Sequence, residues 1–376
     1  MVIKSLIIGC VLAASIVFPS LTHAEEVTTD VASDSVFAAV ESFFLGEVTI
    51  IYSEGESSFE GYDEAYQRVN VRVTTGPDAG TDQFIEYVST TSSFEHQKLA
   101  VGDSVIITKS SISGQDAYII LDRFRVPGVF TVLAVFLILA LMFAGFRGVT
   151  SLFGLAASLA ILAFGVVPAI LQGHDPLFVS VIGSCIIAVI SILLAHGANR
   201  RSGLALAATL LTLVAAVVFA IFAVFLAKLS GAGTEEAVYL QIGSLTSLNL
   251  QGLLLGGIII GTLGVLDDVT TTQVASVEEI SKADASLSAR ELYKRGINIG
   301  REHIAALVNT LALAYAGASF PLFLLFAINS GPPLWVVLNA EYVMEEVIRA
   351  IVGGASLIIA VPISTAFAAY YYGKKS

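Results

Sequence analysis

Residues 250–273 read LQGLLLGGIIIGTLGVLDDVTTTQ. The stretch opens as aliphatic, glycine-rich helix material. It closes on two adjacent carboxylates, Asp267 and Asp268, followed by Thr270, Thr271, Thr272 and Gln273. About 20 helical residues cross the hydrocarbon core of a bilayer, so the stretch is long enough to span one. A carboxylate held there costs a few kcal/mol unless it is partnered, hydrated or protonated. If the span ended at Val265, both acids would sit at the membrane surface instead. Against that ending, Val269, Val274 and Ala275 continue the apolar pattern between the polar residues.

The rest of the chain puts this stretch in a membrane. Of 376 residues, 56% are hydrophobic and only 13% charged, where soluble domains run near a quarter charged. Seven apolar stretches are long enough to span: 128–146, 149–171, 176–196, 203–228, 250–273, 303–328 and 343–370. Arg147, Arg200, Arg201, Lys282, Arg290, Lys294, Arg295, Arg301, Lys374 and Lys375 then fall on one side, and Lys228 alone on the other. This asymmetry places the first group in the cytoplasm. Residues 229–249 form the longest outside loop, too short and too polar to span, and fit an interfacial or re-entrant segment.

Residues 1–24 read as a signal peptide. Lys4 is the positive end, Leu6–Phe18 the apolar run, Pro19 its break, and Ala24 the small residue before the cut. An uncleaved anchor helix is the alternative. Cys10 leaves with the signal, so the mature chain keeps only Cys185 and has no internal disulfide.

Residues 25–126 form an exported domain. Eighteen acids against six bases there account for the whole net charge of −12, and so acidic a face disfavours nucleic acid as a partner. Val48/Ile50, Val69/Val71/Val73, Val105/Ile107 and Tyr118/Ile120 alternate with period two, as half-buried strands do. About five short strands predict a small barrel or sandwich, with a short helix over 34–45 leading in and His96 solvated. Residues 127–376 are the membrane domain. The fold class expected is therefore a polytopic α-helical membrane protein of about seven transmembrane helices with an exported N-terminal β-barrel or sandwich.

In the fifth span, Gly257, Gly261, Gly264, Asp268 and Thr271/Thr272 share a stripe. Glycines let another backbone approach, so this stripe is the expected packing face, with Asp268 at its end and Asp267 about 100° round the helix. In the sixth span, Asn309 lies deep enough to need a partner. In the seventh, Glu345 and Arg349 have ion-pair spacing, and Glu346 and Arg349 share a face with Gly353. Pro168 and Pro362 are expected to kink their helices.

"GTLGVLDDVTTTQVASVEEI", "IGREHIAALVNTLALAYAGASFPLFLLF" and "EEVIRAIVGGASLIIAVPISTAFAA", in that order, resemble the YibE/F-like family of bacterial membrane proteins. The resemblance implies a multi-pass, permease-like protein and carries no catalytic assignment. The family pattern coincides with Asp267, Asp268, Thr270, Gln273, Arg301, Asn309 and Arg349.

The function expected is a transporter or permease in the bacterial cell membrane, moving a cation or a proton-coupled small solute. Asp267 and Asp268 bind the ion or carry the proton, and Thr271, Thr272 and Gln273 orient them. Asn309, Glu346 and Arg349 line or gate the path. The N-terminal domain is outside and the C-terminus cytoplasmic. The expected partners are the bilayer, a small solute or cation, and optionally a second copy of the chain. No metal site, cofactor or enzymatic activity is expected, and no nucleotide-binding loop is present. The competing reading is a non-transporting scaffold or sensor whose exported domain binds a partner. An intramembrane aspartyl protease is disfavoured, because the two acids are neighbours on one helix rather than facing each other from two.

Overall fold

The computed structural model describes residues 43–59, 62–90, 97–112, 115–242, 247–321, 324, 328 and 333–374. The signal segment, residues 34–42 of the expected lead-in helix, His96 and Lys375 lie outside the described residues. By contact the chain divides between Leu139 and Ala140 into two compact units.

The first unit is a single antiparallel sheet: β1 (Phe43–Phe59), β2 (Tyr62–Val73), β3 (Asp82–Thr90), β4 (Ser104–Ile112) and β5 (Gln115–Arg123), in the order β3-β2-β1-β4-β5. The edge strands β3 and β5 approach each other without pairing, so the sheet curls into a half-barrel. Its concave side holds Val48, Val69, Val71, Val105 and Ile107, all fully buried. Two sequence expectations need correction. Residues 43–45 begin β1 and are not helical. Ile50 does not follow Val48 inward: a bulge between them inserts a residue and reverses the alternation, so Ile50 faces out and Ile51 packs against the core.

A fully buried polar side chain is part of this core. Gln67, fully buried on β2, donates to the Leu99 carbonyl at 3.2 Å and accepts from the Leu99 amide at 2.8 Å. It replaces strand pairing for a segment that has none. At the other side, Asp78 in the β2–β3 turn accepts from the Tyr118 hydroxyl and pairs with Lys109 at 3.1 Å, tying the turn to β4 and β5. The Tyr118 hydrogen bond, with Lys109 beside it, holds the Asp78 carboxyl below the usual carboxylate range.

α1 (Val126–Gly145) follows the sheet directly. Its apolar side chains are exposed all round, the pattern of a helix whose solvent is lipid. It ends at Gly145, where φ is 60° and ψ −148°, a backbone conformation that a side chain would strain.

The second unit is helical: α2 (Gly148–Leu171), α3 (Pro176–His196), α4 (Arg200–Ala227), the short α5 (Glu235–Ile242), α6 (Leu250–Ala283), α7 (Ala289–Ala318), the single turn α8 (Leu334–Leu338) and α9 (Glu341–Tyr372). Residues 162–166 of α2 widen into a π turn just before Pro168, which re-routes the backbone bond that proline cannot make. α9 continues as helix through Pro362.

α6 is the hub. It packs on α3, α4, α7 and α9, around Ile258, Ile259, Leu263, Leu266 and Leu357. Contacts define the directions. Gly256 meets Ser180, and Asp267 meets Ser191, so α3 and α6 run parallel in register over three turns. Gln273 meets Thr365, and Ser281 meets the Tyr372 carbonyl, so α6 and α9 are parallel too. Gln251 bonds the Leu229 carbonyl and Thr270 bonds Thr209, so α4 runs the opposite way. Alternate spans thus point in opposite directions, as successive crossings of one membrane require.

Six helices among the described residues are long and apolar enough to cross a membrane. The expected span at 303–328 falls on the second half of α7, and the residues that would complete it lie partly outside the described ones. The expected cytoplasmic loop after residue 273 is mostly helix. α6 runs on to Ala283 and α7 begins at Ala289, started by a capping box of Ser288 and Glu291. At 1.5 Å per residue, α6 is about 51 Å long against a hydrocarbon core of about 30 Å. α6 is thus longer than such a core is thick, and its last turns pack through Val274 and Val277 against Leu292 and Ala368.

Two outcomes are expected for the half-barrel. Gln67→Ala leaves the buried Leu99 amide and carbonyl without partners, at about 1–3 kcal/mol. Hydrogen exchange of the Leu99 amide in the full-length protein should accelerate by about ten- to a hundredfold. Because the Asp78 carboxyl is held low in the fold, its contribution is present above the ordinary pKa of about 3.9 and lost as pH falls through the lowered value. Wild type should therefore lose stability in strong acid more steeply than Asp78→Asn, as read by unfolding at stepped pH.

Candidate functional site

Each polar group on the second half of α6 takes its direction from the 100° step of the helix. Asp267 points to α3, where its Oδ2 accepts from the Ser191 hydroxyl. Its Oδ1 is enclosed and has no hydrogen-bond partner. His196, at the end of α3, is close enough to act on the charge of Asp267. Thr270 points to α4 and shares a 2.7 Å hydrogen bond with Thr209, both fully buried. Thr271 turns back on its own helix, donating to the Asp267 carbonyl at 2.9 Å and the Asp268 carbonyl at 3.1 Å.

Gln273 points to a third neighbour. It is fully buried, and its amide nitrogen donates to the Gly296 carbonyl of α7 and the Thr365 hydroxyl of α9, both at 2.8 Å. It staples three helices and does not orient the aspartates. Gly296 and Gly300 make this possible. A Cβ at Gly300 would come within 2.3 Å of Val361, and one at Gly296 within 2.7 Å of Val277 and 2.8 Å of Thr365, distances that real Cβ atoms do not tolerate.

The remaining expected residues do not join this group. Asp268 and Thr272 are exposed on α6, with Gly257 and Gly264, which have nothing within 4 Å of a Cβ position. The expected packing stripe is therefore the open one. The close approach runs instead through Gly256, where a Cβ would meet the Ser180 hydroxyl at 2.3 Å. Asn309 is exposed on α7.

Glu346 and Arg349 pair at 3.5 Å, half-buried between α9 and α7 near Tyr315. Glu345 is not Arg349's partner. It is buried, and accepts from the Gly233 amide at 3.0 Å. One turn earlier, Glu341 accepts from the Ser230 hydroxyl at 2.7 Å and the Gly231 amide at 3.0 Å. Two carboxylates thus hold the 230–233 loop to the head of α9. Counted along parallel helices, Arg349 lies about 12 Å from its helix start and Asp267 about 26 Å, so these are two separate polar groups at different depths.

Ser191, Thr209 and Thr365 are the partners that sequence reading missed. Each stands among other hydroxyls in an apolar span, and hydroxyls of that kind also bond harmlessly to their own helix, as Thr212 does to the Ala208 carbonyl.

A family model described as YibE/F-like protein matches residues 132–374. The chain belongs to that family. No curated protein and no solved structure matches the chain. The YibE/F-like match begins after the half-barrel and takes in α2 to α9, and with them Asp267, Gln273 and Arg349.

Replacing Gly300 by valine drives a side chain into Val361 and Gln273. The expected result is loss of the α7 contact: lower detergent stability by about 1–3 kcal/mol, and faster cleavage of the 284–288 turn in limited proteolysis.

Proposed function

We propose that the protein is a permease of the bacterial cell membrane that moves a cation or a proton-coupled small solute, with Asp267 as the working carboxylate. The half-barrel is outside and the C-terminus cytoplasmic. The observation that carries this reading is the state of Asp267. It is half-buried between α3 and α6 inside the helical unit, and among the described residues it pairs with no Lys or Arg and one of its oxygens is enclosed without a donor. An acid in a membrane helix is costly to keep, and one without a fixed counter-charge is suited to a mobile one.

The exposed stripe of Gly257, Gly261, Gly264, Asp268 and Thr272 gives this reading a second surface beside the acid. Its small side chains leave room for a solute or for helix movement. Glu346 and Arg349 lie nearer the outer end, where a gate belongs. The bilayer is the constant partner in this reading, and a second copy of the chain fits the same open stripe.

The two aspartates separate under test. Cells lacking the protein are complemented with wild type, Asp267→Asn or Asp268→Asn, and their metal and small-solute contents compared. Wild type and Asp268→Asn should restore the same solute difference, and Asp267→Asn should match the deletion. Full restoration by Asp267→Asn at equal membrane abundance would sink the proposal.

A further inference from the structure

We infer that the coupling ion at Asp267 is the proton, not sodium or another metal cation, and that Ser191 is the positioning residue for that proton. The inference rests on the transport reading and narrows it.

The first argument is the partner. A serine hydroxyl has one donor and two acceptor sites, and its hydrogen rotates to suit. Facing a carboxylate, Ser191 donates to Oδ2, as it does here. Facing a carboxylic acid, the same oxygen accepts the acid's O–H. The contact between α3 and α6 therefore survives both protonation states with no movement of the backbone. An arginine or lysine in that place would donate only, and would fix the charged form.

The second argument is what surrounds the acid. A hard cation takes about six oxygens, converging at short range. Here the neighbouring hydroxyls are turned elsewhere: Thr271 to the carbonyls of its own helix, Thr270 to Thr209, and Thr209 also to the Ala205 carbonyl. Among the described residues no cage of oxygens converges on the Asp267 carboxylate. A single proton needs only one oxygen to hold it, and the enclosed, unpartnered Oδ1 offers a second.

The third argument is a route. The titratable groups that face Asp267 are His196 from α3 and Asp268 from α6 itself. α4 presents Thr209 there, and its Arg201 acts on Glu279 further along α6. His196 is exposed at the end of α3, and Asp268 is exposed on α6. Both are exposed groups beside a more enclosed one. A proton taken from water enters by way of either and forms the O–H bond on Asp267. On release, that bond breaks and the proton returns to water, leaving the carboxylate held by Ser191.

Infrared difference spectroscopy of the purified full chain in lipid, titrated by pH with and without sodium, tests this. A carboxyl C=O band should appear as pH falls, vanish in Asp267→Asn and shift in frequency in Asp267→Glu. Its midpoint should be the same in both buffers. Ser191→Ala should move the midpoint and frequency, and Ser191→Thr should restore them.

A midpoint that falls by about one pH unit per tenfold rise in sodium would show a cation competing for the carboxylate, and would overturn the inference while leaving transport intact. Loss of the band from every pH, in wild type as well, would overturn it without any variant. Conversely, a band that titrates as expected together with full solute restoration by Asp267→Asn would keep the proton site and sink the transport reading.

Discussion

Inside a bilayer, apolar burial between helices contributes little, because lipid tails are as apolar as leucine. What holds such helices at fixed places is close backbone approach and the satisfaction of polar groups that have no water to turn to. α6 concentrates both requirements. Gly256 brings it against α3, and Asp267, Thr270 and Gln273 each require a partner in a different direction. Three neighbours supply Ser191, Thr209 and Thr365, and the bundle is arranged around those three bonds.

This arrangement explains why the parallel helices keep register. The Gly256–Ser180 contact and the Asp267–Ser191 bond lie three turns apart on both helices, so slipping α3 by one residue would break both at once. The Gln273 staple does the same for α7 and α9, with Gly296 and Gly300 clearing the space. Of the three polar contacts, two join uncharged groups, although the Gln273 carbonyl oxygen is enclosed without a partner among the described residues. Only at Asp267 does an ionisable group share its contact with a hydroxyl that can reverse its role. That difference separates a structural staple from a candidate working site, although all three stand within two turns of one helix.

The half-barrel solves a different problem. It folds where water is available, so alternation of valines marks its concave face, and it fails only where a bulge at Val48/Ile50 changes the phase. A fully buried glutamine in so small a core would be expensive unless both its amide atoms were used, and Leu99 uses both. The family match begins after β5.

Much was legible from the chain alone. The apolar stretches and the alternating directions of the helices follow from hydropathy, because a bilayer constrains length before any helix meets another, although α6 runs on past residue 273 to Ala283. The strands followed from period two for the same kind of reason. Which face of a membrane helix packs was not legible. A helix that is apolar all round has no amphipathic stripe to read, and glycines at 252, 256, 257, 261 and 264 mark several candidate faces at once. The choice of Gly256 over Gly257, the turning of Asp267 inward and Asp268 outward, and the pairing of Arg349 with Glu346 instead of Glu345 depend on where a partner hydroxyl or carbonyl stands on another helix. Composition and spacing put two adjacent acids on one long, largely apolar helix; only the packing of α3, α4, α7 and α9 around α6 decides which of them is held, because that depends on distances between residues far apart in sequence.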